Sequence, residues 1–411
     1  MVHDRTMRIA TTSLALVLAS GISWGDNVDD YLRAQMAKSH VPGAVLLVLK
    51  DGQRLKEGSY GLANVELNVK MSTEMVFQIG SMSKQFTASA IMLLVGEGKL
   101  NLDDPVGKFI SIPDAWKGVT VRHLLTHTSG IRNWANLPGF KFTGTYNDNE
   151  FLSLFKDIPL DFSPGEKYFY SNSGYAVLGM IVHTVSGQSL EEFVKARFFD
   201  PIGMKNTRYN IETDVVTNRV AGYYWTKEGT MENGMPMRPK VSAPSGGILS
   251  TVNDIALWDA ALRTSSPLTQ AQKDAMWTPM TLNDGKKDNY GFGWMLTPYK
   301  GRKLVKHTGT TEAGFRSMIV RFQDEKLTII LLTNQAALDI DPVVFGIADF
   351  YLPQQLRVSS TVSERKAHAW NIPRNRPVVI DPRDRITSQV KQAGPFYIRD
   401  NPRRSRYVAN R

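Results

Sequence analysis

The chain has 411 residues, 49 Lys plus Arg against 39 Asp plus Glu, a formal charge of +10, and no cysteine. That length can bury the core of one large domain or two intimate ones. The missing thiols exclude disulfides, a thiolate nucleophile and Cys-ligated zinc.

The charge argues against a nucleic-acid-binding body because of where it lies. Tyr351 to Arg411 holds 13 basic and 4 acidic residues, or +9; the first 25 residues carry +1, and Asp26 to Phe350 is neutral. At the N-terminus, Arg5 and Arg8 precede an uncharged run from Ile9 to Ser20, followed by the small residues Ala19, Ser20, Gly21 and Ser23. Residues 1–25 read as an export signal with cleavage near Gly21 to Gly25, against the alternatives of an uncleaved anchor or a buried first helix. The run falls short of the roughly 20 apolar residues that span a bilayer. The expectation is export, to a periplasm or the medium, with no stable membrane insertion after cleavage.

Gly43 to Lys50 is a continuous apolar run and reads as a buried strand. Asp51-Gly52 is a hairpin turn, and Arg54 to Gly61 returns. Helical patterns follow at Phe86 to Val95, Tyr175 to Val185, Leu190 to Phe199 (stopping at Pro201) and Asp254 to Leu262. Arg302 to Lys306 reads as a basic strand, and Arg316 to Phe322 and Leu327 to Thr333 pair about Asp324-Glu325. Strands at both ends with helices between predict, for a domain over residues 26–350, an α+β sheet layer closed by the two termini with a mainly helical region inserted. Periodicity does not say which strands pair. Residues 351–411, rich in Arg, Pro and Asn, read as a basic, poorly ordered tail; a small packed add-on and a segment touching an acidic envelope surface are the alternatives.

Ser81-Met82-Ser83-Lys84 carries the chemistry. A hydroxyl and an amine three residues apart share a face if a helix starts near Ser81, and the positive helix end disfavours the ammonium form. That is the minimum needed to make serine a nucleophile. Ser-x-x-Lys also occurs at Ser153, Ser363 and Ser388, but only Ser81 follows a strand-like run ending in Gly80 and only Lys84 leads into a long apolar helix. Ser153 reads as the exposed face of an amphipathic helix, and Ser363 and Ser388 lie in the tail.

Three further motifs fit. In Tyr170-Ser171-Asn172 the phenol can hold or relay the nucleophile's proton and the amide can orient the lysine. In His307-Thr308-Gly309-Thr310, at the end of the basic strand, the glycine would let a substrate lie along the strand edge and the next N–H could face an oxyanion. Ser245-Gly246-Gly247 is a Gly-rich approach to a helix. His123 and His127 have the i, i+4 spacing of a metal pair without the glutamate a metalloprotease needs, so no metal is expected and His127 reads as a loop brace. Tyr290-Gly291-Phe292-Gly293-Trp294 reads as a close-packed turn, with a pocket wall as the alternative.

Residues from about 30 to 350 resemble the serine β-lactamase/penicillin-binding protein family, on its class C and carboxypeptidase/esterase side. The resemblance is carried in order by Phe77-Gln78-Ile79-Gly80-Ser81-Met82-Ser83-Lys84, Leu124-Leu125-Thr126-His127-Thr128-Ser129-Gly130, Tyr168-Phe169-Tyr170-Ser171-Asn172, Pro201-Ile202-Gly203-Met204 and His307-Thr308-Gly309. It implies a β-lactamase/transpeptidase-like fold, an antiparallel sheet flanked by helices, and an acyl-enzyme mechanism without cofactor. Ser81 would attack, Lys84 and Tyr170 would take the proton as a coupled pair, and Asn172 would position the lysine. The N–H groups of Ser81 and Thr310 would form the oxyanion hole. His307 departs from the family's Lys-Thr-Gly. A mostly neutral histidine favours ester or uncharged amide substrates, with Arg316 a candidate for the missing charge. The implied partners are small ester, amide or cell-wall peptide substrates. The alternatives are a D-alanyl-D-alanine carboxypeptidase or weak β-lactamase, and a non-enzymatic penicillin-binding sensor.

Overall fold

The computed structural model describes residues 24–141, 144–211, 213–235 and 242–353. Almost all of the expected leader and all of the basic tail from residue 354 lie outside these, as do Ser363 and Ser388. The N-terminal helix, α1, spans Trp24–Lys38.

The main sheet has six strands: β1 (Gly43–Lys50), β2 (Gln53–Asn64), β3 (Val69–Lys70), β4 (Leu304–Thr311), β5 (Phe315–Phe322) and β6 (Leu327–Thr333). Their order is β4-β5-β6-β1-β2-β3, antiparallel throughout. The two ends of the chain meet at β1 and β6, with Ala44 opposite Thr333 and Lys50 opposite Leu327. Asp51 (φ 51°) and Gly52 (φ 82°) both turn left-handed, as a two-residue hairpin requires.

The unbroken apolar run of β1 has a plain cause: both faces of the sheet are covered. Ala44, Leu46 and Val48 pack with α1 and with α5 (Ile340–Tyr351), through Val28, Leu32, Val344 and Ile347. Val45, Leu47 and Leu49 face the helical insert. Burying such side chains stabilises by roughly 1.5–3 kcal/mol each. At the centre of the insert lies α2 (Lys84–Gly96), buried from Lys84 to Leu94. A helix apolar on all sides belongs inside a core. Beside it run α3 (Asn172–Ser186) and α4 (Val252–Ala261).

Three expectations need correction. The strand expected from Arg302 starts only at Leu304 and runs to Thr311, with His307-Thr308-Gly309-Thr310 in its second half. The helix at Leu190 does not stop at Pro201 but winds through a wider turn to Ile202. Ser81 precedes the α-helix, in a 3-10 turn spanning Gly80–Ser83.

Candidate active site

Lys84 is the first residue of α2, and its amine is wholly buried. Nζ lies 2.8 Å from Asn172 Oδ1, 2.7 Å from the Ser245 carbonyl and 3.1 Å from Ser81 Oγ. Burial holds the amine well below the usual lysine range. A neutral amine has two hydrogens and one lone pair. The two carbonyl oxygens accept the hydrogens, which leaves the lone pair for the Ser81 hydroxyl to donate to. Ser81 itself is only half-buried, so its oxygen is reachable from outside.

Tyr170 and Asn172 flank Ser171, the residue just before α3, whose hydroxyl donates to the Ile131 carbonyl. The Tyr170 ring lies 4.8 Å from Lys84 Nζ. Burial pushes its phenol well above the usual tyrosine range, and a hydrogen bond to Ser81 opposes this. Burial thus favours the protonated form of the phenol.

β4 supplies the third side, and its edge can be read residue by residue. Lys306 exchanges both backbone hydrogen bonds with Met295 on the outer side, at 2.9 and 2.8 Å. Backbone groups alternate along an edge strand, so those of Thr308 and Thr310 also face outward. Gly80 (φ 53°) brings the nucleophile turn against this edge. A Cβ there would lie 2.8 Å from Thr310 N, and one at Gly309 would lie 2.0 Å from the Ile79 carbonyl. The space at Gly309 is thus filled by the nucleophile turn. The glycine serves that approach, and not the close passage of a substrate expected from the sequence.

His307 and Arg316 do not offer charge to this cluster. His307 is fully buried, and burial followed by the nearby Lys84 pushes its pKa down to about 3. Its Nδ1–H donates to the Thr308 carbonyl at 2.7 Å, and Nε2 accepts from the Tyr290 hydroxyl at 3.0 Å. Arg316 lies opposite Thr310 and bonds its hydroxyl, on the sheet face shared with Met318 and Val320. The next residue, Ser317, faces the nucleophile turn and bonds the Ile79 carbonyl at 2.8 Å. Strand alternation therefore turns the Arg316 side chain towards α5, where Asp339 and Asp341 act on it.

Sequence reasoning missed the Ser245 carbonyl and the Tyr290 hydroxyl. Ser245-Gly246-Gly247 stood out for its glycines, but no sequence signal marks a backbone carbonyl as a ligand for an amine 161 positions away. The Tyr290 segment is a close-packed turn: Gly293 (φ 77°) abuts the Lys84 carbonyl, where a Cβ would come within 2.8 Å. His123 caps the short helix Val121–Leu125 through Thr120, and His127 braces a loop as expected, accepting the Ser171 N–H at 3.1 Å. Among the described residues no group of three or more His, Asp or Glu could hold a metal, and no helix is long and apolar enough to cross a membrane.

A half-buried serine and a buried lysine at a helix start, faced by a tyrosine and by the edge of an antiparallel sheet, define the β-lactamase/transpeptidase-like class of α+β serine hydrolases. The model of the β-lactamase family matches residues 28–343, and the chain belongs to that family. It is 31% identical over 319 residues to penicillin-binding protein 4* of Bacillus subtilis, covering 73% of this chain and 70% of that protein. To the D-aminopeptidase of Gluconobacter oxydans it is 26% identical over 320 residues, 76% of this chain and 59% of the relative's length. The solved penicillin-binding protein of Bacillus halodurans superposes with a TM-score of 0.68 at 26% identity, over 77% of this chain and 98% of that one.

Proposed function

We propose that this serine hydrolase works through an acyl-Ser81 intermediate, is exported, and prefers small ester or uncharged amide substrates. The observation that carries the mechanism is the Lys84 amine, whose two hydrogens are taken by Asn172 and Ser245 while Ser81 lies 3.1 Å away. Ser81 Oγ attacks the carbonyl carbon as its proton passes to Lys84 Nζ. The N–H groups of Ser81 and Thr310 hold the oxyanion, and one such donor contributes on the order of 3 kcal/mol. The proton then moves through Tyr170 to the leaving oxygen or nitrogen, the carbonyl re-forms, and the leaving group departs. Water repeats the sequence on the acyl-enzyme and frees Ser81. The outward backbone groups of Thr308 and Thr310 form the edge along which the substrate lies.

The substrate preference rests on His307, which is neutral and turned inward and so lends no fixed charge to a substrate carboxylate. Export rests on the leader-like N-terminus. A second reading, action on D-amino-acid or cell-wall peptides or weakly on β-lactams, is favoured by the names of the relatives. Turnover of a nitrophenyl ester, a chromogenic cephalosporin and a D-Ala-D-Ala peptide separates the two. The expected result is fastest turnover of the ester, with Ser81→Ala inactive and unacylated by intact mass. Full activity in Ser81→Ala would overturn the mechanism; a faster peptide or cephalosporin would favour the second reading.

A further inference from the structure

His127 follows the short helix Val121–Leu125 and adopts φ 59°, a left-handed conformation that a residue with a Cβ rarely holds without a reason. Both of its polar ends are directed at one neighbouring segment. Its carbonyl accepts the N–H of Phe169 at 2.9 Å, and its Nδ1 accepts the N–H of Ser171 at 3.1 Å. Tyr170 sits between those two anchor points. The imidazole lies along the Tyr170 ring, with centroids 4.3 Å apart and planes inclined by 37°.

The protonation of the ring follows from these contacts. Nδ1 accepts, so in the neutral imidazole Nε2 carries the hydrogen. Nε2 is buried and has no hydrogen-bond partner, amid the rings of Tyr168, Tyr175 and Tyr290. Stability alone would not select a strained residue with an unpaired buried N–H at this position. An acceptor at Nδ1 and a flat face beneath Tyr170 are what the imidazole provides and an aliphatic side chain would not.

We propose that His127 is a positioning residue that sets the Tyr170 hydroxyl beside Ser81, by holding the backbone on both sides of Tyr170 and supporting its ring. This rests on the reading of Tyr170 as the proton relay. It predicts that His127 acts on the chemical step and acts through Tyr170.

A double-mutant cycle with a nitrophenyl ester tests both points. In His127→Ala, kcat should fall by about 30-fold, within the loss that a misplaced catalytic group produces, while KM stays within about twofold. His127→Asn should recover most of the rate, because asparagine tolerates the left-handed backbone and its Oδ1 can accept the Ser171 N–H. In a Tyr170→Phe background the same His127→Ala change should cost less than about threefold, since no hydroxyl is left to place. Equal losses in both backgrounds would overturn the inference, as would an unchanged kcat with only the thermal midpoint lowered. Full activity in Tyr170→Phe alone would instead overturn the relay reading, a separate outcome. His127→Gly, which removes the acceptor but keeps the left-handed backbone, carries the cycle if the alanine variant does not fold.

Discussion

Replacing Gly309 with alanine should disable the site while leaving the fold largely intact. The new methyl would lie 2.0 Å from the Ile79 carbonyl oxygen and 2.4 Å from Ser317 Oγ. Ser317 can rotate aside, losing its hydrogen bond to Ile79. The carbonyl cannot, because it belongs to the backbone that enters the Gly80–Ser83 turn. Ordinary contact begins at 3.4 Å, so β4 and the turn must part by more than 1 Å. A displacement of about 1 Å between reacting groups costs on the order of 100-fold, and loss of one oxyanion donor costs about 10²–10³ in kcat. The overpacking itself should cost about 1–3 kcal/mol of stability. Gly246→Ala is the matched control, since a Cβ there meets nothing closer than 3.7 Å. Ester kinetics and thermal unfolding on both variants form the assay. Gly309→Ala should be folded with kcat down about 100-fold or more, and Gly246→Ala should stay within about threefold of the parent. A Gly309→Ala enzyme with the parent's kcat would refute the close-approach argument.

Two further predictions concern pH. The folded chain holds the Lys84 amine well below 10.5, so between that lowered value and 10.5 the unfolded chain binds more protons and stability rises with pH. Lys84→Met should abolish turnover, and the stability of the parent relative to this variant should climb as pH rises towards 10.5; parallel pH curves in chemical denaturation would contradict the assignment. His307 titrates near 6.5 unfolded and about 3 folded, so its burial costs stability as pH falls through that window, about 2 kcal/mol at pH 5. His307→Gln should therefore lose about 2 kcal/mol less than the parent between pH 7.5 and 5. It should also leave the acid limb of the pH–rate profile in place, and a shift of that limb would make His307 a titrating member of the site.

Much of the site was legible because its parts are local in sequence. Ser81 and Lys84 stand one helical turn apart, so local geometry alone brings hydroxyl and amine together. The α+β class was legible too, since the helix period in the middle of the chain differs from the continuous apolar runs at its ends. Arg316 misled for a related reason: one residue of register separates it from Ser317, and in a strand that single step exchanges the faces of the sheet.

What the sequence by itself determined is that a hydroxyl and an amine stand one turn apart at the head of an apolar helix, and the α+β class, because those follow from spacing and apolar pattern. Tertiary structure alone decided that the Ser245 carbonyl takes a hydrogen of Lys84, that Gly309 admits the Gly80–Ser83 turn, and that His307 faces inward as a neutral acceptor for Tyr290. Each depends on atoms meeting across long stretches of chain, from 17 positions between Tyr290 and His307 to 230 between Ile79 and Gly309. Such meetings are fixed by the packing of α2 against α3 and of the Gly80–Ser83 turn against β4, which no local pattern encodes.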